Sequence, residues 1–190
     1  MKIVWLVRHA ERADFSEGEW DPVWPERAIG LGQDPDDAPL TVAGRRQARH
    51  AASLLHGPLN RIYSSPFLRC IETARIISDV HGVELMVSTD LTEWMNPEWF
   101  NNTYEHFEEI HFNSNRAHFS RGYPEIPESE ESHKERWNRV FLTLTEMDEE
   151  NFPIALVTHG GGIHHLLNHY DTDIMSGKGV QFADVYRIEL

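Results

Sequence analysis

The sequence predicts an α/β fold: a three-layer αβα sandwich around a mostly parallel central sheet. Two observations carry this reading. Short β-branched or apolar runs alternate along the chain with segments of helical period, the order that βαβ units impose. One of those runs, Ile154 to Val157, is apolar without a break, as a strand covered by helices on both faces should be.

The elements follow in order. Lys2 to Val7 is β-branched and apolar with no helical period, and reads as a buried strand. Its five apolar residues run straight into Arg8 and His9, too short a stretch for a secretory leader. Asp14 to Pro39 is rich in Asp, Pro, Gly and Trp and is expected to be a long irregular loop, the kind that tends to be functional. Thr41 caps a helix to about His56, with Ala48, Ala51, Ala52 and Leu55 on one side and Gly57-Pro58 as its stop. Arg61 to Ser64 is a short strand. Pro66 opens a helix whose buried stripe is Phe67, Ile71, Ala74 and Ile77 and whose end is Gly82. Val83 to Val87 is the third strand. Met95 to Pro127 breaks into Asn, His, aromatic and Pro residues around one short helix carrying Tyr104, Phe107 and Ile110. A helix from near Ser129 to Met147 carries Trp137, Val140, Phe141 and Leu144. After the strand ending at Thr158, Gly160 to Gly162 turns into a helix with Ile163, Leu166 and Leu167, and Val185 to Leu190 alternates as a last strand.

A chain of 190 residues, 40% hydrophobic and 25% charged, has the size and composition of one globular domain. We expect residues 1–190 to form that single domain, with a cap inserted at about 95–128. Thirty-one acidic against 17 basic residues give a formal net charge of −14, which repels nucleic acid and anionic membrane surfaces at long range. Neither is an expected partner, and an anionic substrate has to be captured by a local cluster of arginines. Cys70 is the single cysteine, which excludes an intrachain disulfide and suits a cytoplasmic protein. A homodimer is left open.

The reactive residues fall at one place in this topology. Arg8, His9 and Arg12 lie just past the first strand, Arg69 past the second, Glu93 past the third and His159 past the fourth. In an open parallel sheet the carboxyl ends of the strands share one edge, and ligands bind in the crevice there. Three arginines converging on a cleft call for concentrated negative charge, since the guanidinium fork matches phosphate oxygens and keeps its charge. Those cations favour a neutral His9, whose imidazole nitrogen is a competent nucleophile toward phosphorus. The arginines would then stabilise the equatorial oxygens of the transition state. There is no Walker-type loop and no acidic metal cluster, so this reading requires no metal and no other cofactor.

Arg8-His9-Ala10-Glu11-Arg12, Ser64-Ser65-Pro66-Phe67-Leu68-Arg69, Thr92-Glu93-Trp94 and Thr158-His159-Gly160 resemble the four signatures of the histidine phosphatase (phosphoglycerate-mutase-like) superfamily, in order and with similar spacing. Within it the chain looks most like the Sts-type and ecdysteroid-phosphate phosphatase branch. The resemblance implies a phosphoglycerate-mutase-like fold and a phosphatase that hydrolyses phosphomonoesters through a phosphohistidine. It implies that His9 is the nucleophile, that Arg8, Arg12 and Arg69 hold the phosphoryl group, and that His159 contacts its oxygens. Glu93 would protonate the leaving oxygen and then activate water, although Glu98 and Glu105 in the cap are rival carboxylates. Ala10 stands where glycine is commoner, Gly160-Gly161 follows His159, and the cap between Trp94 and Ser129 is shorter than in Sts-type domains. The implied substrate is a phosphorylated small molecule or a phosphoprotein, selected by the loop and the cap.

Other readings are weaker. Phosphoglycerate mutase chemistry uses the same nucleophile, but Glu11-Arg12-Ala13-Asp14 replaces the usual continuation in mutases. A phospho-ligand binding module would not need the full catalytic set. His164, His165 and His169 invite a metal site but lack carboxylates on the same helix and read as a polar face. Four residues separate Cys70 from Arg75, one fewer than in the phosphate loop of cysteine phosphatases, and Cys70 reads as a small buried hydrophobe. Trp20, Trp24, Trp94 and Trp99 together would make an apolar wall for a hydrophobic leaving group.

Overall fold

A computed structural model describes residues 1–96, 124, 127–169 and 179–190. Its five-stranded sheet runs in the order Leu85–Val87, Arg61–Ser64, Ile154–Thr158, Ile3–Arg8, Val185–Glu189. The strands are β1 (Ile3–Arg8), β4 (Arg61–Ser64), β5 (Leu85–Val87), β6 (Ile154–Thr158) and β7 (Val185–Glu189). All neighbours are parallel except the edge strand β7, which runs antiparallel to β1.

Alternate residues of each strand face opposite layers, as the two-residue period requires. Val4, Leu6 and Leu156 pack with Trp137, Val140, Leu144, Ile163 and Leu166 from α4 (Glu130–Glu146) and α5 (Gly160–Asn168). Trp5, Val7, Ala155 and Val157 pack on the other side with Ala51, Ala52, Ala74 and Ile77 from α2 (Val42–Leu54) and α3 (Leu68–His81). This is the expected three-layer sandwich. Thr41 caps α2 through its hydroxyl, which accepts from the Gly44 N–H at 2.8 Å, and Ser129 caps α4 in the same way. Gly82 ends α3 with φ 66°, the left-handed geometry that favours glycine. On the second layer α4 and α5 cross so closely at Gly162 that a Cβ there would collide with the Trp137 indole.

Three expectations are corrected. Asp14–Pro39 is not irregular throughout: it contains the hairpin β2 (Phe15–Ser16)/β3 (Glu19–Trp20) and the helix α1 (Trp24–Gly30). Two-residue strands show no alternation and a seven-residue helix shows barely two turns, so periodicity is blind to both. Helix α3 starts at Leu68 rather than Pro66, because Phe67 is extended (ψ 138°). The third strand begins at Leu85 rather than Val83. The helix expected around Tyr104, Phe107 and Ile110 lies outside the described residues, as do Glu98, Trp99 and Glu105. Among the described residues no helix is long and apolar enough to cross a membrane.

Candidate active site

The register of the two central strands pairs Arg8 with Thr158, and Ser64 pairs with Val157 one strand further on. His9, Ser65 and His159 therefore leave the sheet side by side at its carboxyl edge. The His9 N–H donates to the Thr158 carbonyl at 2.9 Å, and the His9 carbonyl accepts from Ala183 N–H at 3.2 Å. The loop after His9 is tied to both helices of the first layer. Thr73 on α3 accepts from Ala10 N–H at 3.1 Å. Gln47 on α2 accepts from Glu11 N–H at 2.9 Å, and the Thr41 hydroxyl donates to the Glu11 carboxylate at 2.6 Å. Ala10 packs on Leu40 and Ala48, so the methyl that replaces glycine is accommodated.

The His9 ring has a defined tautomer. Nδ1 lies 2.9 Å from the Ala10 carbonyl oxygen, which can only accept, so Nδ1 carries the hydrogen and Nε2 keeps its lone pair. His9 is 2% exposed. Burial first, then Arg69, His159, Arg8 and Arg12, push its pKa far below the ordinary histidine value. A neutral imidazole with a free Nε2 at neutral pH is what nucleophilic attack needs.

Around it stand the three predicted arginines. Arg12 Nε lies 2.9 Å from Asp14 Oδ1, with its guanidinium over the Trp20 ring. Burial and the neighbouring Arg69 bring the pKa of Arg12 down to about 10, which leaves it charged. Arg8 donates to the Val180 carbonyl and lies over Phe182. Arg69, on the first turn of α3, is completely buried, and its Nε, Nη1 and Nη2 have no hydrogen-bond partner among the described residues. A buried guanidinium without a partner is costly, and a cation at a helix N-terminus opposes the dipole. Both penalties vanish when an oxyanion binds there.

His159 bridges two groups. Nδ1 lies 3.2 Å from Glu93 Oε2, and Nε2 lies 2.8 Å from the Ser65 hydroxyl. The carboxylate accepts a hydrogen bond from Nδ1–H, so Nε2 accepts from the Ser65 hydroxyl. Burial, reinforced by Arg69 and Arg12, outweighs the attraction of Glu93 and lowers the pKa of His159 to about 4. Burial pushes the Glu93 carboxyl up, but His159, Arg69 and the Trp94 N–H, a 3.1 Å donor to Oε1, hold it below the usual carboxylate range. Glu93 is thus ionised before substrate arrives, and the resting site offers a base rather than an acid. Both nitrogens of His159 are engaged by Ser65 and Glu93, so its contact with phosphoryl oxygens, implied by the resemblance, would require one of these bonds to yield. Burial pushes the Cys70 thiol up to about 12, in keeping with a neutral hydrophobe.

Sequence reasoning missed Ser65, Glu128, His133, Arg136 and Phe182. Arg136 is buried and donates bidentately to Glu128 at 2.8 Å. It also donates to the carbonyls of Asp90, Thr92 and Glu93, at 2.9, 2.7 and 3.2 Å, so it clasps the turn that carries Glu93. A signal existed: continuing the buried stripe of α4 back from Val140 by four and seven places lands on Arg136 and His133. The other histidine cluster is a polar face, with His165 and His169 both donating to Asn138 Oδ1 at 2.9 and 3.2 Å. The cleft over His9 holds about 630 Å³, with Trp20, Trp24 and Trp94 in its walls. Trp99 lies outside the described residues.

This fold and this edge of the sheet are those of a known class of enzyme. The chain belongs to the histidine phosphatase superfamily (branch 1), whose pattern matches residues 4–183. It is 30% identical over 169 residues to a Hydrogenobacter thermophilus protein provisionally named phosphoserine phosphatase 2, covering 88% of this chain and 77% of that one. The Drosophila melanogaster ecdysteroid-phosphate phosphatase is 27% identical over 194 residues, covering 82% of this chain but 25% of the relative. The crystal structure of the Bombyx mori ecdysone phosphate phosphatase with tungstate superposes with a TM-score of 0.68 at 19% identity, covering 100% of this chain and 89% of that one. The expected phosphoglycerate-mutase-like fold, the superfamily and the class of phosphoric monoester hydrolase are borne out.

Proposed function

We propose that this chain hydrolyses phosphomonoesters by two in-line displacements on His9. Nε2 of His9 attacks phosphorus and the bond to the leaving oxygen breaks, while Arg8, Arg12 and Arg69 take up the charge of the three equatorial oxygens. Water, deprotonated by the Glu93 carboxylate, then attacks the phosphohistidine and releases inorganic phosphate and free His9. Because Glu93 is ionised at rest, the proton for the leaving oxygen enters with the substrate as its monoanion. The observation that carries this reading is the buried, tautomer-fixed His9 near the buried guanidinium of Arg69, which has no hydrogen-bond partner among the described residues.

The reading extends to residues 1–190 as one catalytic domain with a cap inserted at about 95–128. The three cleft tryptophans support a small phosphorylated molecule or a phosphorylated side chain as substrate. The single buried cysteine supports a cytoplasmic location. The acidic charge speaks against nucleic acid and anionic membranes as partners.

The test is hydrolysis of p-nitrophenyl phosphate with EDTA present, together with intact mass after a rapid quench at alkaline pH. Turnover that persists in EDTA, disappears in His9→Ala and accompanies a transient phosphorylated species bears the proposal out. Full turnover by His9→Ala overturns it.

A further inference from the structure

His133 faces the cleft from α4 and belongs to none of the predicted site residues. Its ring is held on several sides. Trp94 lies at a centroid distance of 5.9 Å and Trp137 at 6.4 Å. Nδ1 lies 3.0 Å from Arg136 Nη2 and 3.6 Å from Glu128 Oε2. A guanidinium nitrogen can only donate, so the closer contact makes Nδ1 an acceptor and leaves the ring hydrogen on Nε2. His133 is 8% exposed and lines the same cleft as Glu93 and Trp94.

The position of Nε2 follows from Gly161. A Cβ built on Gly161 would lie 3.7 Å from Glu93 Oε1 and 3.8 Å from His133 Nε2. The carboxylate and the imidazole N–H therefore flank one small space, with bare glycine backbone as its floor. With Nδ1 accepting from Arg136, Nε2–H is the ring's hydrogen-bond donor toward the cleft.

Building on the phosphatase reading above, we propose that His133 is a specificity-determining residue. Its Nε2–H receives an oxygen acceptor, carboxylate or hydroxyl, on the atom next to the one bearing the ester oxygen of the leaving group. Substrates whose leaving group has such an oxygen beside the scissile bond gain a directed hydrogen bond next to Glu93. Leaving groups with the acceptor remote, or with none, do not.

The test compares 2-carboxyphenyl phosphate with 4-carboxyphenyl phosphate, which share size and charge and differ in where the carboxylate sits. Wild type, His133→Phe and Gly161→Ala are assayed on both, with His9→Ala as the blank. His133→Phe keeps an aromatic ring between the tryptophans but has no N–H. Gly161→Ala meets its neighbours only at ordinary van der Waals distance, so it folds while narrowing the space. A bond to a charged acceptor predicts that kcat/KM favours the 2-isomer in wild type and that the ratio of the two isomers falls about tenfold in His133→Phe. KM for the 2-isomer carries most of the change, and Gly161→Ala moves the ratio in the same direction. Equal losses on both isomers reduce His133 to a packing residue and overturn the inference. Wild type that turns over both isomers without preference overturns it as well, while leaving the phosphatase reading intact. Wild type that turns over neither isomer, nor p-nitrophenyl phosphate, overturns both.

Discussion

Arg8 and Thr158 are register partners on the two central parallel strands, and that pairing alone brings the rings of His9 and His159 to 5.3 Å between centroids. Two buried imidazoles so close, with three arginines near them, exclude protons from the site. The consequence for stability can be signed. His9 and His159 both have folded-state pKa values below that of an unfolded histidine. The unfolded chain therefore binds more protons as pH falls below about 6.5, and stability drops over that interval. The ionised Glu93 acts in the same direction, but only below the ordinary carboxylate range.

The first prediction is a loss of unfolding free energy from pH 6.5 toward pH 4, of up to about 1.4 kcal/mol per pH unit for each histidine. Denaturant melts at several pH values measure it. His9→Asn flattens the slope, because the asparagine amide does not titrate. A wild-type slope of zero over this interval contradicts the assigned burial of the pair.

The second prediction concerns Arg69. Its guanidinium is fully buried and unpartnered among the described residues. Arg69→Met removes a desolvated cation and keeps the volume. The variant should melt a few degrees higher, a gain of about 1 kcal/mol or more. Its kcat/KM should fall by about 10²–10³-fold, through loss of transition-state charge stabilisation. Inorganic phosphate or vanadate should raise the melting temperature of wild type but not of Arg69→Met. Thermal melts with and without the anion, beside steady-state rates, test both signs at once.

The third prediction is a pH–rate profile. With Glu93 ionised, the leaving-group proton comes from the substrate monoanion, which gives way to the dianion near pH 6. For an alkyl phosphate, kcat/KM should fall about tenfold per pH unit above that point. For p-nitrophenyl phosphate, whose leaving group needs no proton, the fall should be shallower. The acid limb should lie well below pH 6.5, because His9 stays neutral there. Identical profiles for the two substrates would sink this account of Glu93.

Most of the frame was legible because the relevant signals are local and regular. The uninterrupted Ile154–Val157 run, the Thr41 cap and the Gly82 stop each state their own role. The convergence of His9, Arg69, Glu93 and His159 was legible because strand ends of a parallel sheet share an edge. What escaped depends on tertiary contact. Helix α1 is too short to show a period, and the tautomer of His9 depends on where the Ala10 carbonyl points. Arg136 reads in sequence as a charged residue on an acidic helix, and only the packed structure turns it inward to grip the carbonyls of Asp90, Thr92 and Glu93.

That grip yields the last prediction. Arg136→Leu leaves Glu128 as a buried charge without its partner and should cost about 3–5 kcal/mol. The double variant Glu128→Met, Arg136→Leu removes both charges and should recover most of that loss. It does not restore the hydrogen bonds to the turn, so Glu93 is no longer held at its distance from His159. The double variant should therefore fold nearly as well as wild type, while kcat on an alkyl phosphate stays about 10–100-fold lower, a loss of the size expected when an acid–base group is misplaced. KM should change less than kcat, because the arginines that bind phosphate are untouched. Melting temperatures and steady-state kinetics on the three proteins separate the two effects. Recovery of kcat along with stability would show that Arg136 serves the core alone and does not position Glu93.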